Sequence, residues 1–89
     1  MQNARVTVHN KVGLHARPAA LFVKASTAHQ SKITVMKGEK SGNAKSILGI
    51  LALGVQQGDE ILITAEGPDE LEAVVGLTKL IESNFGESR

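Results

Sequence analysis

One histidine in this chain, His15, stands at the start of an apolar, alanine-rich stretch. That stretch has the composition of an α-helix, which predicts His15 as the N-cap and Ala16 and Arg17 as the first helical residues. The first four N–H groups of a helix have no partner within it, and with the helix dipole they favour negative charge. The sequence therefore places an imidazole nitrogen, a group able to form covalent intermediates, beside donors that stabilise an anion.

The residues around His15 favour the same chemistry. Arg17 carries a guanidinium whose donors match phosphate oxygens. Pro18 is tolerated because the first helical turn does not need its missing N–H, and Gly13 allows a tight turn before the helix. A phosphoryl group on His15 would lie against the helix amides, that of Ala16 among them, and within reach of Arg17. The alternative is a histidine that caps the helix and takes part in no reaction.

The composition indicates one small domain with an aliphatic core. The chain has 89 residues, 42% of them hydrophobic and 21% charged, with two phenylalanines and no tryptophan or tyrosine. The absence of cysteine excludes disulfides and thiolate chemistry and suits a reducing compartment. No N-terminal stretch resembles a signal peptide, and no run approaches the roughly 20 apolar residues of a membrane span. A cytoplasmic protein is expected.

The net charge of +1 conceals an uneven distribution along the chain. Residues 1–45 hold eight Lys or Arg and one acid, a net charge of +7, whereas residues 46–89 hold two Lys or Arg and eight acids, a net charge of −6. A basic half containing His15 can attract anions or acidic partners. The alternative is that folding mixes the two halves.

Hydrophobic periodicity predicts the element order β-α-β-β-α-β-α. Predicted strands are 4–9, 32–37, 40–42 and 60–66, and predicted helices are 16–27, 46–54 and a last helix from Asp69 to Gly86. The strand side chains expected to face inward are Val6, Val8, Ile33, Val35, Ile61 and Ile63. This order predicts an α+β fold, a two-layer open-faced sandwich in which three helices cover one face of a four-stranded antiparallel sheet, formed by residues 1–89 as one domain.

Each predicted helix has its own end signals. Ser46 is an N-cap and Gly54 a C-terminal stop for the second helix. Asp69 is predicted to cap the last helix in a capping box with Glu72.

The apolar surface of the first helix is expected from Ala16, Ala19, Ala20, Phe22 and Val23, and that of the last helix from Leu71, Val74, Val75, Thr78, Ile81 and Phe85.

Two motifs resemble one known family. Gly13 to Ala19, read as Gly-Leu-His-Ala-Arg-Pro-Ala, is similar to the active-site signature of HPr, the histidine-containing phosphocarriers of the phosphoenolpyruvate-dependent sugar phosphotransferase system. Lys45 to Gly49 resembles the regulatory serine site of the same family. The resemblance covers nearly the whole chain and implies the open-faced sandwich already predicted.

The resemblance also implies an activity. His15 would accept a phosphoryl group on Nδ1 from enzyme I, itself charged by phosphoenolpyruvate, and pass it to enzyme IIA domains of sugar transporters. Such a protein carries a group between enzymes, with no cofactor, and does not turn over a small substrate alone. Many family members have a hydroxyl residue at the position of Val12, so the lifetime of the phosphorylated state is expected to differ here.

Ser46 is expected to be a regulatory phosphorylation site by the same resemblance. The implied partners are HPr kinase/phosphorylase and a catabolite-control regulator. A phosphate on Ser46 adds about −1.5 to −2 charges beside the partner surface and would repel an acidic partner. The alternative is a serine that acts only as a helix cap, worth about 1 kcal/mol.

The short second helix is apolar on all sides. Ile47, Leu48 and Leu51 are predicted to surround His15 as a protein-docking patch, together with Arg17, Ala20 and Lys24 of the first helix. Core positions for the three apolar residues are the alternative, which helical periodicity alone does not exclude.

Other functions find less support in the sequence. His9 and His29 are given no role, and no His, Cys or carboxylate spacing indicates a metal site. Few aromatics, no run of basic residues and no recognisable motif argue against nucleic-acid binding. The competing hypothesis is a regulatory HPr paralogue, of the nitrogen branch or a corepressor. A monomer without membrane insertion is expected.

Overall fold

A computed structural model describes residues 1–86 and contains four strands and three α-helices. The strands are β1 (Gln2–Thr7), β2 (Lys32–Lys37), β3 (Lys40–Asn43) and β4 (Glu60–Glu66), and the helices are α1 (Ala16–Thr27), α2 (Ile47–Ala52) and α3 (Glu70–Glu82). A short 3-10 turn, Asn84–Gly86, follows α3. All strand pairs are antiparallel, in the order β1-β4-β2-β3. The predicted element order and the α+β open-faced sandwich are confirmed.

Period-two alternation gives the sheet one buried and one open face. In the strand register Val6 lies opposite Ile61 and Val35 opposite Ile63, and these four side chains are buried. The residues between them, such as Leu62, are partly or fully exposed. The core between sheet and helices is mainly aliphatic, and Phe22 of α1 and Phe85 supply its aromatic rings. The predicted inward positions are confirmed.

The first strand begins and ends two residues earlier than the alternation predicts. The ladder with β4 runs from Gln2 opposite Ala65 to Thr7 opposite Glu60. Main-chain pairing extends β1 over exposed polar residues because ladder hydrogen bonds need no apolar side chain. Val8 is buried as predicted but lies beyond the strand, where its carbonyl accepts from the Gly58 amide at 2.7 Å.

The last helix is shorter than predicted. It ends at Glu82, and Phe85 is buried in the following 3-10 turn with a φ of +59°. The chain therefore turns out of the helix to return Phe85 to the core. Leu71 and Val75, predicted on the apolar face, are exposed, whereas Val74 and Ile81 are buried.

The predicted capping box at the start of α3 is wrong. Asp69 occupies the N-cap position without a side-chain cap bond, because its carboxylate turns toward the loop between α1 and β2. There it accepts hydrogen bonds from the Ser31 hydroxyl and from the amides of Gln30 and Ser31. Glu70 instead accepts from the Gly67 amide at 3.1 Å.

The buried face of α1 also differs from the prediction. Pro18, Ala19, Phe22 and Ser26 are buried, whereas Ala16 and Ala20 are exposed and Val23 is only partly buried. Ser26 is accommodated because its hydroxyl donates to the Phe22 carbonyl at 2.8 Å. The helix packs against both α2 and α3.

The two differently charged halves of the sequence mix in the sheet. Arg5 lies 3.7 Å from Glu60, and Lys37 lies 3.1 Å from Asp59. Each pair joins a base from the first half to an acid from the second. The basic half is therefore partly neutralised at the sheet, away from α1.

Candidate functional site

His15 is the N-cap residue of α1, as predicted. Its backbone is extended, with φ −128° and ψ 162°, and its side chain makes no capping hydrogen bond. The residue is exposed to solvent. An imidazole at the positive end of a twelve-residue helix is therefore open to another molecule, and the unpaired first-turn amides can stabilise an anion placed there.

The loop before His15 is anchored to the core. Gly13 has φ +63°, and a Cβ at this position would lie only 2.2 Å from the Val55 carbonyl oxygen. The Leu14 amide donates to that same oxygen at 3.0 Å, and the Leu14 side chain is fully buried. Glycine is therefore required here both for its backbone conformation and for the close approach of two chain segments.

Asn10 is a residue of this loop that the sequence analysis missed. Its carbonyl accepts from the Gly13 amide at 3.1 Å, and its side-chain Nδ2 donates to the Gly13 carbonyl at 2.7 Å. Asparagine at the first and glycine at the fourth position of a turn is a known turn signal. That spacing could have identified Asn10, whereas nothing in the sequence indicates the contact with Val55.

Ala16 departs from ideal helical geometry. It begins α1, but its φ is +53°, in the left-handed region that costs L-residues about 1–2 kcal/mol. The sequence predicts an ordinary helical alanine at this position. The structure instead places an unfavourable backbone conformation immediately after His15, the residue with the predicted chemistry.

The two charged side chains of α1 are both positive, and α2 has no charged side chain. Arg17 and Lys24 are exposed on α1, and α1 and α2 contain no carboxylate. Within residues 1–86, Arg17 has no ion-pair partner. The surface of these two helices can therefore attract an anion or an acidic protein.

The apolar residues predicted for docking are exposed on α2. The exposed fractions are 40% for Ile47, 77% for Leu48 and 36% for Leu51, while Ile50 of the same helix is buried. Ala20 of the neighbouring α1 is exposed as well, as is Val12 in the loop before His15. These side chains are therefore available to a partner, and the alternative core assignment of the three α2 residues is wrong.

Ser46 is the N-cap of α2, as predicted. Its hydroxyl oxygen accepts from the Gly49 amide at 3.0 Å. The preceding Lys45 directs its ammonium to the His29 carbonyl, 2.7 Å away. The structure thus accounts for Ser46 as a cap, and its regulatory role stays a prediction.

The carboxylate of Asp69 is the most perturbed titratable group described. The Ser31 hydroxyl, the Gln30 and Ser31 amides and the His29 ring surround it and hold its pKa well below the usual value. His29 Nδ1 lies 3.0 Å from Asp69 Oδ2. This cluster joins the end of α1 to the start of α3 and gives His29 a structural role that the sequence analysis did not assign.

Residues 1–86 contain no group of three or more His, Cys, Asp or Glu side chains placed to hold a metal ion. None of the helices in that range is long and apolar enough to cross a membrane.

Comparison with known proteins identifies relatives of this fold and site. Residues 2–83 match a family model described as "PTS HPr component phosphorylation site". Phosphocarrier protein HPr of Treponema pallidum (strain Nichols) is 42% identical over 82 residues, which cover 92% of this chain and 93% of the relative. The HPr-like protein Crh of Bacillus subtilis (strain 168) is 42% identical over 82 residues, covering 92% and 96%.

Solved structures agree with these matches. HPr-C-His from Thermoanaerobacter tengcongensis superposes with a TM-score of 0.98 and 52% identity, covering 100% of both chains. A structure described as an HPr dimer from the same organism superposes with a TM-score of 0.79 and 53% identity, covering 98% of this chain and 100% of the other. The expectation of a monomer is therefore not confirmed.

Proposed function

The chain belongs to the HPr family of phosphocarriers, and we propose that His15 is the residue that carries the phosphoryl group. The observation that carries the proposal is an exposed imidazole at the N-terminus of α1, preceded by a loop anchored to the core. The same position falls within the matched family segment. A ring buried in the core or placed at the other end of a helix would not fit this role.

The transfer step needs a lone pair on one His15 ring nitrogen. That nitrogen attacks phosphorus and forms an N–P bond while the bond from phosphorus to the donor's leaving group breaks, and the bonding electrons depart with the donor. Charge on the phosphoryl oxygens is stabilised by the free amides at the start of α1, among them that of Ala16, and by the Arg17 guanidinium. Phosphoryl transfer depends mainly on such positioning and charge stabilisation.

An exposed site suits a carrier because the group must leave again. A closed pocket would stabilise phosphohistidine and hinder its transfer to an acceptor. At His15 the phosphoryl group remains accessible to a second protein. A nucleophile of that protein attacks phosphorus, the N–P bond breaks, and the bonding electrons return to the His15 nitrogen. Val12, 49% exposed in the same loop, offers no hydroxyl donor, so the phosphoryl group depends on the amides and Arg17.

The proposed partners are enzyme I as donor and enzyme IIA domains as acceptors, in the cytoplasm. Ile47, Leu48 and Leu51 supply exposed apolar area on α2, and Ala20 and Lys24 extend that surface on the adjoining α1. An apolar centre with a basic rim fits partners with an apolar, acidic docking surface. Ala20 is small enough to allow close approach.

The test of the carrier role combines the protein with phosphoenolpyruvate and enzyme I. We expect a mass gain of about 80 Da that is labile in acid and stable in base, as for a histidine nucleophile. His15→Ala should abolish the gain while the fold remains, since the side chain is exposed. A gain that persists in His15→Ala would refute the assignment.

Regulation at Ser46 is proposed on narrower grounds. Phosphorylation by HPr kinase/phosphorylase would place about two negative charges at the start of α2, beside the surface assigned to docking. Ser46→Asp is expected to keep the fold and to slow phosphorylation of His15 by an acidic partner. Ser46→Ala is the control for loss of the hydroxyl alone. Equal transfer rates in Ser46→Asp and Ser46→Ala would remove the proposal.

A regulatory paralogue is the second candidate function. The similarity to proteins described as Crh, an HPr-like protein, favours it, and such a protein would act by binding a regulator. The two functions differ in transfer competence. Passage of the group from this protein to an enzyme IIA domain supports the carrier, whereas uptake without onward transfer supports the regulatory role.

A further inference from the structure

We propose that Asn10 is a positioning residue for phosphoryl transfer, an inference that rests on the carrier role of His15 proposed above. Asn10 holds the peptide unit that precedes Leu14, the residue before His15. Asn10 is 7% exposed, and within residues 1–86 its side chain donates to the Gly13 carbonyl and makes no hydrogen bond to the His15 ring. Its influence on the ring therefore passes through the backbone.

Both polar groups of the Gly13–Leu14 peptide unit are fixed. The Gly13 carbonyl accepts from Asn10 Nδ2 at 2.7 Å, and the Leu14 amide donates to the Val55 carbonyl at 3.0 Å. A peptide unit is planar, so two hydrogen bonds on its opposite sides oppose its rotation. Removing the Asn10 donor frees one side and leaves only the bond to Val55.

The orientation of the His15 ring depends on this backbone because no side-chain hydrogen bond fixes the ring directly. It makes no side-chain capping bond, and the residue that follows, Ala16, adopts a φ of +53°. The direction in which the ring leaves the chain is therefore set by the loop before it. Transfer requires the attacking nitrogen and phosphorus to be aligned, and a displacement of about 1 Å can slow such a reaction about a hundredfold.

The burial of Asn10 is itself unfavourable. Its Oδ1 is buried and has no hydrogen-bond partner among the described residues. A buried acceptor without a donor is disfavoured, so the Oδ1 end of the side chain does not stabilise the fold. The Nδ2 end supplies the donor to the Gly13 carbonyl, and this bond is the contribution that the proposal assigns to Asn10.

Gln57 provides a matched control. Its Nε2 donates to the His9 carbonyl at 3.0 Å, so it is a second side-chain amide bound to a carbonyl just before the same loop. This bond does not involve the Gly13–Leu14 peptide unit. Gln57→Ala therefore removes a side-chain amide bond to a carbonyl, here an exposed one, without freeing the peptide unit before His15.

The experiment measures the rate of phosphoryl uptake from phosphorylated enzyme I against protein concentration, below the unfolding transition of each variant. Asn10→Ala is expected to lower the maximal rate at least about tenfold with little change in the half-saturating concentration. Gln57→Ala should match the original protein. Asn10→Leu, with a similar volume but no donor and no charge, decides the question should Asn10→Ala fail to fold.

The outcomes separate this inference from the carrier role. No uptake by the original protein, or uptake that survives His15→Ala, refutes the carrier role. Normal uptake with an unchanged maximal rate in the Asn10 variants refutes the positioning role alone. A rise only in the half-saturating concentration, or equal losses in Gln57→Ala, would show that Asn10 acts on docking or general stability and would also overturn the proposal.

Discussion

Replacement of Gly13 by alanine tests how the His15 loop is held. A Cβ at Gly13 would lie 2.2 Å from the Val55 carbonyl oxygen, whereas ordinary contacts begin near 3.4 Å. The loop must therefore move by about 1 Å from the core. Gly54→Ala is the matched control, since Gly54 has a φ of +64° and nothing within 4 Å of the added Cβ.

Both substitutions place alanine at a positive φ, but only Gly13→Ala also creates a clash with the Val55 carbonyl. A non-glycine residue with positive φ costs about 1–2 kcal/mol, of which about 0.4–1 kcal/mol is offset by the stiffer unfolded chain. Gly54→Ala should therefore lower the free energy of unfolding by about 1 kcal/mol. Gly13→Ala also breaks the Leu14–Val55 hydrogen bond between buried groups, which adds about 1–3 kcal/mol.

Urea denaturation of the two variants measures the difference, which we expect to be about 2 kcal/mol. For a domain of this size that corresponds to a melting temperature lower by about 10 °C for Gly13→Ala than for Gly54→Ala. Phosphoryl uptake should fall in Gly13→Ala and stay unchanged in Gly54→Ala. Equal losses of stability in the two variants would refute the contact with Val55 as the reason for glycine.

Three further predictions concern other parts of the structure. Ala16→Gly should stabilise the protein by about 0.5 kcal/mol by relieving the positive φ, whereas Ala20→Gly within the same helix should destabilise it by about 1 kcal/mol. Melting temperatures that fall equally in the two variants would contradict this prediction. Ser46→Ala should cost about 1 kcal/mol through the lost bond to the Gly49 amide, and an unchanged urea midpoint would argue against the cap. The lowered pKa of Asp69 means that the folded state holds its proton less tightly than the unfolded state, so its stabilisation is complete above the ordinary value of 3.8 and is lost as pH falls below it. Asp69→Asn should therefore be less stable than the original protein at neutral pH, and its free energy of unfolding should fall less steeply as the pH is lowered. Equal slopes in the two proteins would count against a stabilising role for the Asp69 carboxylate.

The parts of the fold that sequence patterns predict well are those with strong, local signals. β2, β4 and α1 have the predicted boundaries, because alternating or helical apolar spacing coincides with burial there. The boundaries of β1 differ because its ends are set by pairing with β4, a contact distant in sequence.

Side-chain competition explains the errors at the last helix. Asp69 has the residue type of a cap, but three donors in the loop before β2 compete for its carboxylate. Phe85 continues the helical spacing, yet burial in the core draws it into a separate turn. Neither the donors nor the core contact is visible in the local sequence.

The candidate site was predictable in its chemistry and less so in its geometry. His15 and Arg17 are identified by residue type and spacing at a helix start. Ala16 is a strong helix former, so its positive φ contradicts local propensity and depends on the anchored loop. The exposure of Leu48 was predicted, but a core position stayed open as the alternative, because a short helix that is apolar on all sides gives no periodicity to separate core from surface.

The most direct measurement of the central claim is nitrogen NMR of protein labelled with ¹⁵N-histidine, before and after treatment with phosphoenolpyruvate and enzyme I. The chain has three histidines, and His9 and His29 serve as internal controls. We expect only the His15 ring nitrogens to change, with coupling to phosphorus at one of them. Phosphorus coupling at His9 or His29 would contradict the account. So would unchanged nitrogen signals from all three histidine rings in a sample whose enzyme I is active.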